Sequence, residues 1–198
     1  IATVGPTTLA IANTGLSANT LYYYRVRATN AVGLSGYSAV VSARTFLPPV
    51  KVNFQPLTAA VPSGYLVDSG LTYASRGNGY TYGWNALNTL TARDRNSSLS
   101  PDQSYDTLQH MQMVASGSIW ELAVPNGTYS VFLVAGDATA FDSTYRINVE
   151  GGLTVSGTPT SATRWFSGTR TVAVTDGRLT INNGTGAVNN KICFIEVT

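Results

Sequence analysis

Between residues 73 and 95 the chain gathers side chains suited to one kind of chemistry: Tyr73, Tyr80, Tyr82 and Trp84, then Arg93, Asp94 and Arg95. Aromatic faces cover the apolar C–H patches of a pyranose, while guanidinium forks and carboxylates match its pairs of hydroxyls. The pattern therefore points to sugar recognition. A structural reading stands beside it. Tyr82 and Trp84 could pack beneath the loop, with Arg93 and Arg95 clamping it through carboxylates such as Asp68 or Asp106.

The remaining reactive groups are dispersed. His110 is the only histidine and lies among Leu108, Gln109 and Met111, where a hydrogen-bonded wall residue is expected rather than a ligand or base. Cys193, the only cysteine, sits in Ile192-Cys193-Phe194-Ile195 and reads as a small buried hydrophobe. Two carboxylate pairs, Asp137 with Asp142 and Asp102 with Asp106, are close enough in sequence to contribute oxygens to a Ca²⁺ site. Asp137 and Asp142 are the expected metal ligands of that minority reading. The chain has no G-x-S-x-G elbow, no H-E-x-x-H pair and no phosphate-cradling loop, and nothing singles out an acid–base carboxylate pair from Asp68 and Asp106. A non-catalytic role is expected.

Composition narrows the classes of partner. Charged residues make up 11% of the chain, far below the ~25% of an average soluble domain, so Ser, Thr, Asn and Gly must solvate much of the surface. The net charge is only +2 with scattered basic residues, which leaves no footprint for nucleic acid or an anionic membrane. No apolar run approaches the ~18 residues of a membrane helix.

The elements that must position these groups read as β. Residues 6–12, 20–29 and 38–46 are expected strands, with Asn30-Ala31-Val32-Gly33 turning the last two and Phe46-Leu47-Pro48-Pro49 forming a stiff junction. Tyr22, Tyr24, Val26 and Ala28 alternate with polar neighbours and form one apolar face. Residues 56–117 show little periodicity, apart from a possible helix over 104–114. Beyond them, Ile119–Val124 with Thr128–Ala135, around Asn126-Gly127, reads as a hairpin, and so does Thr171–Val174 with Arg178–Ile181, around Asp176-Gly177. Ile192–Val197 is apolar on both faces and is expected as a central strand. The fold class is all-β, an antiparallel β-sandwich.

Thr20–Ser38, with Leu16 and the corner position of Tyr22, resembles the closing strands of a fibronectin type III module. Too few residues precede the paired prolines for the roughly 90–100 of a whole module, so a partial module is expected over 1–47, a linker over 48–50 and a second domain over 51–198. That second domain, in its Lys51-Val52-Asn53-Phe54 opening, its Asp68-Ser69-Gly70 and Tyr82-Gly83-Trp84 segments, its Trp120–Tyr129 run and its Asn189-Asn190 loop, resembles the galactose-binding-like or malectin-like carbohydrate-binding jelly rolls of bacterial extracellular proteins. The resemblance implies a glycan or polysaccharide ligand and a secreted or cell-surface location. Its ligand-binding candidates are Tyr80, Tyr82, Trp84, Arg93, Asp137, Asn189 and Asn190. Lys191 departs from the pattern, since many such modules carry an Asp after the asparagines. The alternative is a structural module that assembles a fibre or surface layer with copies of itself through strand edges, another chain completing the partial module.

Overall fold

The computed structural model describes residues 2–17, 20–45, 49–114 and 117–198. The chain divides into two units, Ile1–Pro48 and Pro49–Thr198. Among the described residues no helix is long and apolar enough to cross a membrane.

In the first unit β1 (Leu21–Tyr24), β2 (Thr29–Asn30), β3 (Gly33–Leu34) and β4 (Val41–Arg44) form two small ladders, β1 with β4 and β2 with β3. The β2–β3 turn is closed by Asn30, whose side-chain oxygen accepts from Val32 N (2.9 Å) and Gly33 N (3.1 Å). Tyr22 reaches back to the backbone, its hydroxyl accepting from Ser17 N at 2.9 Å. Residues 6–12 form no strand. A turn in which Thr8 N donates to Gly5 O at 3.0 Å interrupts them, and no partner ladder is present. The apolar face is shorter than its alternation suggests, for Tyr22 and Tyr24 are half-buried but Val26 is 71% exposed. The expected Phe46-Leu47-Pro48 part of the junction lies outside the described residues.

The second unit is a two-layer β-sandwich with a small third sheet. Its strands in chain order are β5 (Val50–Phe54), β6 (Leu66–Asp68), β7 (Ala74–Ser75), β8 (Thr81–Trp84), β9 (Ala92–Asp94), β10 (Thr107–His110), β11 (Ile119–Ala123) and β12 (Gly127–Gly136). There follow β13 (Tyr145–Val149), β14 (Gly152–Gly157), β15 (Trp165–Val174), β16 (Arg178–Asn183), β17 (Lys191–Ile192) and β18 (Phe194–Val197). One sheet runs β14-β13-β16-β11-β8-β7, the facing sheet β15-β12-β18-β5-β6, and the small one β17-β10-β9. Of these strand pairs only β5–β6 is parallel.

The core lies between the two large sheets because their alternate residues are apolar. Val52 and Phe54 of β5, Val131 and Leu133 of β12, and Ile195 of β18 face Trp84, Trp120, Leu122, Tyr145, Ile147, Leu179 and Ile181, all buried. Phe54 meets Trp120 and Trp84 edge-on, at 5.4 and 5.9 Å between centroids. The final segment is central, with β18 between β12 and β5, but it is broken at Cys193, so that β17 joins the small sheet.

Neither expected hairpin forms. β11 pairs with β8 and β16, and β12 with β15 and β18, so the Asn126-Gly127 turn carries the chain from one sheet to the other. The Asp176-Gly177 turn returns it in the same way, from β15 to β16. The two crossovers are tied together, Asn126 Nδ2 donating to Thr175 O at 2.8 Å and Val124 N to Gly177 O at 3.1 Å. Turn chemistry specifies a reversal; which strands then pair is decided by which apolar faces must meet. The helix expected over 104–114 is a single turn, Gln103–Asp106, N-capped by Asp102, after which Thr107–His110 becomes β10. β9 and β17 satisfy that segment's backbone from both sides, which outweighs a weak helical propensity.

Candidate functional site

Tyr80, Tyr82 and Trp84 belong to the β7–β8 edge of the six-stranded sheet. Period-two alternation turns Tyr82 and Trp84 inward. Tyr82 donates its hydroxyl to Val67 O at 2.8 Å, and Trp84 donates Nε1 to Asp68 Oδ1 at 2.9 Å. Trp120 Nε1 binds the other oxygen of the same carboxylate at 2.8 Å, and Gly70 N binds Oδ1 at 2.7 Å. Asp68 is thus a keystone under two indoles, its pKa raised by burial in spite of those donors. Both Tyr82 and Trp84 are buried, so neither offers a face for stacking, and their expected ligand role is corrected to a core role. Tyr80 is half-buried in the hairpin turn, where Asn78 Oδ1 accepts from its N–H.

The other candidates meet elsewhere, at a rim built by the loop after β12, the loop before β17, and strands β9 and β10. Asp137, at the end of β12, is fully buried and takes a bidentate hold from Arg95, Nε to Oδ1 at 2.9 Å and Nη2 to Oδ2 at 2.5 Å. Thr139 N and Ala140 N also donate to Oδ1. Lys191, 1% exposed, places its Nζ 3.2 Å from Asp137 Oδ2 and 2.9 Å from Asp142 Oδ1. Burial alone would raise the Asp137 pKa, but the Arg95 hydrogen bonds, the Thr139 N–H and the two cations hold it below the usual carboxylate range. Asp142 is depressed too, chiefly by its hydrogen bond with Lys191.

Asn189 carries this ionic network to the surface. Its Nδ2 donates to Asp142 Oδ2 at 2.8 Å, its Oδ1 lies 2.9 Å from His110 Nδ1, and its backbone oxygen accepts from Ser143 Oγ at 2.9 Å. The residue is held at φ +49°, a left-handed conformation that asparagine tolerates better than most side chains. His110 is a wall residue whose pKa is lowered by burial, the Asn189 contact opposing and the charges of Lys191 and Arg93 adding to the shift. Phe141 is 37% exposed beside Asp142, with the Arg164 guanidinium 4.8 Å from its ring centroid.

Of the expected set, Asp137, Asn189 and Asn190 converge here together with Asp142, and Arg93 is near enough for its charge to reach His110. Two of them are not available to a ligand. Asn190 is buried and spends its amide on Arg146 and Asn183. Asp137 is enclosed and serves to position Lys191 and Arg95. Arg93 donates to Leu90 O (3.0 Å) and Ala92 O (2.7 Å), clamping the turn before β9. The calcium reading is corrected as well. Asp137 and Asp142 converge on an ammonium group, which takes the position of the cation, and among the described residues no metal-binding cluster of carboxylate, His and Cys groups forms. Lys191 was the signal that could have found this: a lysine entering an apolar central segment must be buried, and a buried charge needs partners.

A separate open cavity of about 330 Å³ is lined by Asn96, Ser97, Ser100, Asp102, Gln103 and Asp106. Its Asp106 accepts from Ser97 N at 3.0 Å and Ser100 Oγ at 2.5 Å. Nearby, burial and the facing Asp106 carboxyl raise the pKa of Asp94.

No protein-family model matches this chain, and no curated protein matches it. Solved structures do. A calcium-binding mutant of Bacteroides uniformis β-glucuronidase 2 aligns at a TM-score of 0.51 and 13% identity over 88% of this chain and 22% of its own. A Bacteroides uniformis β-glucuronidase aligns at 0.50 and 12%, over 90% and 22%. The chain therefore spans about a fifth of those chains' length, and at this identity the likeness shows the all-β fold alone. A family 35 carbohydrate-binding module from Clostridium thermocellum, at 18% identity, covers 41% of this chain and 69% of its own with a TM-score of 0.29, too low to add to the assignment.

Proposed function

We propose that residues 49–198 are a non-catalytic glycan-binding module of a larger secreted or surface-displayed protein, with the fibronectin-like first unit as its spacer. One observation carries this reading: the exposed Phe141 ring stands beside an Asp142–Asn189 couple that a buried lysine holds in place. A sugar face can lie on the ring while a hydroxyl pair exchanges hydrogen bonds with the carboxylate and the amide. The couple needs little reorganisation, because Lys191, Asp137 and Arg95 fix it from behind. Two of the chains that share the fold are β-glucuronidases, which agrees with a sugar-directed role for the parent protein. A glycan array with the full chain tests the reading. Binding is expected, and Phe141→Ala and Asn189→Ala should each abolish most of it; an array without hits, or hits untouched by both substitutions, would refute it.

A second reading rests on the first unit, which exposes Leu9, Val26, Val32 and Val41. Such a surface suits completion by another chain through strand addition, making the protein an assembling subunit. Light scattering decides this. The assembly reading requires a concentration-dependent oligomer that removal of residues 1–48 reduces to a monomer.

A further inference from the structure

Trp165 opens β15 and occupies an unusual seat. Its partner in the ladder is Gly136, the last residue of β12, and a Cβ on that glycine would overlap the indole Cδ1 and Cγ. The pyrrole side of the indole therefore sits against bare backbone. Its Nε1 donates to Tyr105 O at 3.1 Å, and the Tyr105 ring stands upright beside it, at 88° and 5.9 Å between centroids. The result is a half-buried indole with its pyrrole side on the strand and a perpendicular aromatic wall. Trp165 lies outside the inner layer between the large sheets and packs, with Tyr105, against the cluster of Leu108, Val134, Cys193 and Phe194.

This seat adjoins the rim along the chain. Gly136 precedes Asp137, the anchor of Arg95 and Lys191. Arg164 precedes Trp165, donates Nη1 to Ala138 O at 2.8 Å and lies over one face of the Phe141 ring, which stays 37% exposed. Two aromatic surfaces, Trp165 and Phe141, are thus fixed to the same stretch of backbone by adjacent residues, with the Asp142–Asn189 couple next to one of them.

We propose that Trp165 and Phe141 are two stacking subsites of one site, and that the ligand is a stretch of a linear polysaccharide rather than a single sugar. This rests on the glycan-binding reading. A single residue of the chain stacks on Phe141 and exchanges hydrogen bonds with Asp142 and Asn189. A neighbouring unit stacks on Trp165 against the Tyr105 wall. Affinity then grows with chain length until both floors are occupied and is flat beyond that.

The protein supplies its own reporter. Of its three tryptophans, Trp84 and Trp120 are buried, so acrylamide quenching of fluorescence follows Trp165. The full chain is titrated with xylan, galactomannan and polygalacturonate and with oligosaccharides of one to six units prepared from each. For a bound series, the expected results are at least tenfold tighter binding from one unit to the plateau and protection of Trp165 from acrylamide by the longer oligomers. Trp165→Ala, and the gentler Trp165→Leu if the first variant folds poorly, should flatten the length dependence while leaving single-unit binding in place. Equal affinity for one and six units, or a bound oligomer that leaves Trp165 quenching unchanged, overturns the second subsite while the glycan-binding reading stands. Absence of binding to every member of the panel overturns both.

Discussion

At the scale of single residues, the domain depends on two buried carboxylates with opposite electrostatics. Asp68 faces two indole N–H groups and a backbone N–H, with no salt-bridging cation among the described residues, whereas Asp137 is enclosed by Arg95 and Lys191. Removing the first strands its donors. Asp68→Ala should cost about 3–5 kcal/mol in urea unfolding, because both indole N–H groups would be buried without an acceptor. The second pair reports on acid. Asp137 and Asp142 lie below their unfolded values near ~3.9, so their contribution to stability is present above that pH and is lost as the pH falls through the depressed values. His110 acts in the same direction at higher pH, since its depressed pKa makes protonation favour the unfolded chain as the pH falls below ~6.5. Asp68 and Asp94, with raised pKa values, act in the opposite direction, so the test is a difference: Asp142→Asn should lose less melting temperature than the parent chain on acidification below about pH 4.

Among the elements, the contact of β12 with β15 is the one that sets the rim. Gly136 at its end admits the Trp165 ring, and Gly157 of β14 admits Phe166 in the same way, since a Cβ there would meet Phe166 Cδ1. Gly136→Ala should push the indole off its seat, destabilise the domain by about 1–3 kcal/mol and make Trp165 more accessible to acrylamide. Gly177→Ala probes a different property. That glycine sits at φ +82° in the sheet-crossing turn, with ordinary space around its Cβ position, so the penalty is conformational. A loss of about 1 kcal/mol is expected, without any change in Trp165 fluorescence.

For the whole molecule, the two units differ in how they are built. The second has a layered core and the first has two short ladders with exposed apolar side chains. Two-stranded ladders without a covering layer are marginal in water. Deleting residues 1–48 should leave the cooperative melt of the remainder nearly unchanged, and limited proteolysis of the full chain should cut first within that segment. Mass spectrometry of the resistant product checks the boundary. A melt that collapses on deletion would show that the second unit relies on the first.

The apolar stretches Ile119–Val124 and Ile192–Val197 made the all-β class and the central last strand legible, because side-chain direction in a strand is a local property. Lys191 stood out in the sequence only as a departure from the resembled pattern, and its burial between Asp137 and Asp142 emerged from the fold. Partners were not legible. Asn126-Gly127 and Asp176-Gly177 encode reversals, but whether a reversal closes a hairpin or crosses between sheets depends on strands far away in the chain. Tyr82 and Trp84 carried the same aromatic signal as Phe141 and Trp165, and only packing sent the first pair into the core around Asp68 and left the second pair at the rim. Sequence alone determined which residues have the chemistry to recognise a sugar; tertiary structure decided which of them face solvent, since burial arises from contacts between segments that no local pattern contains.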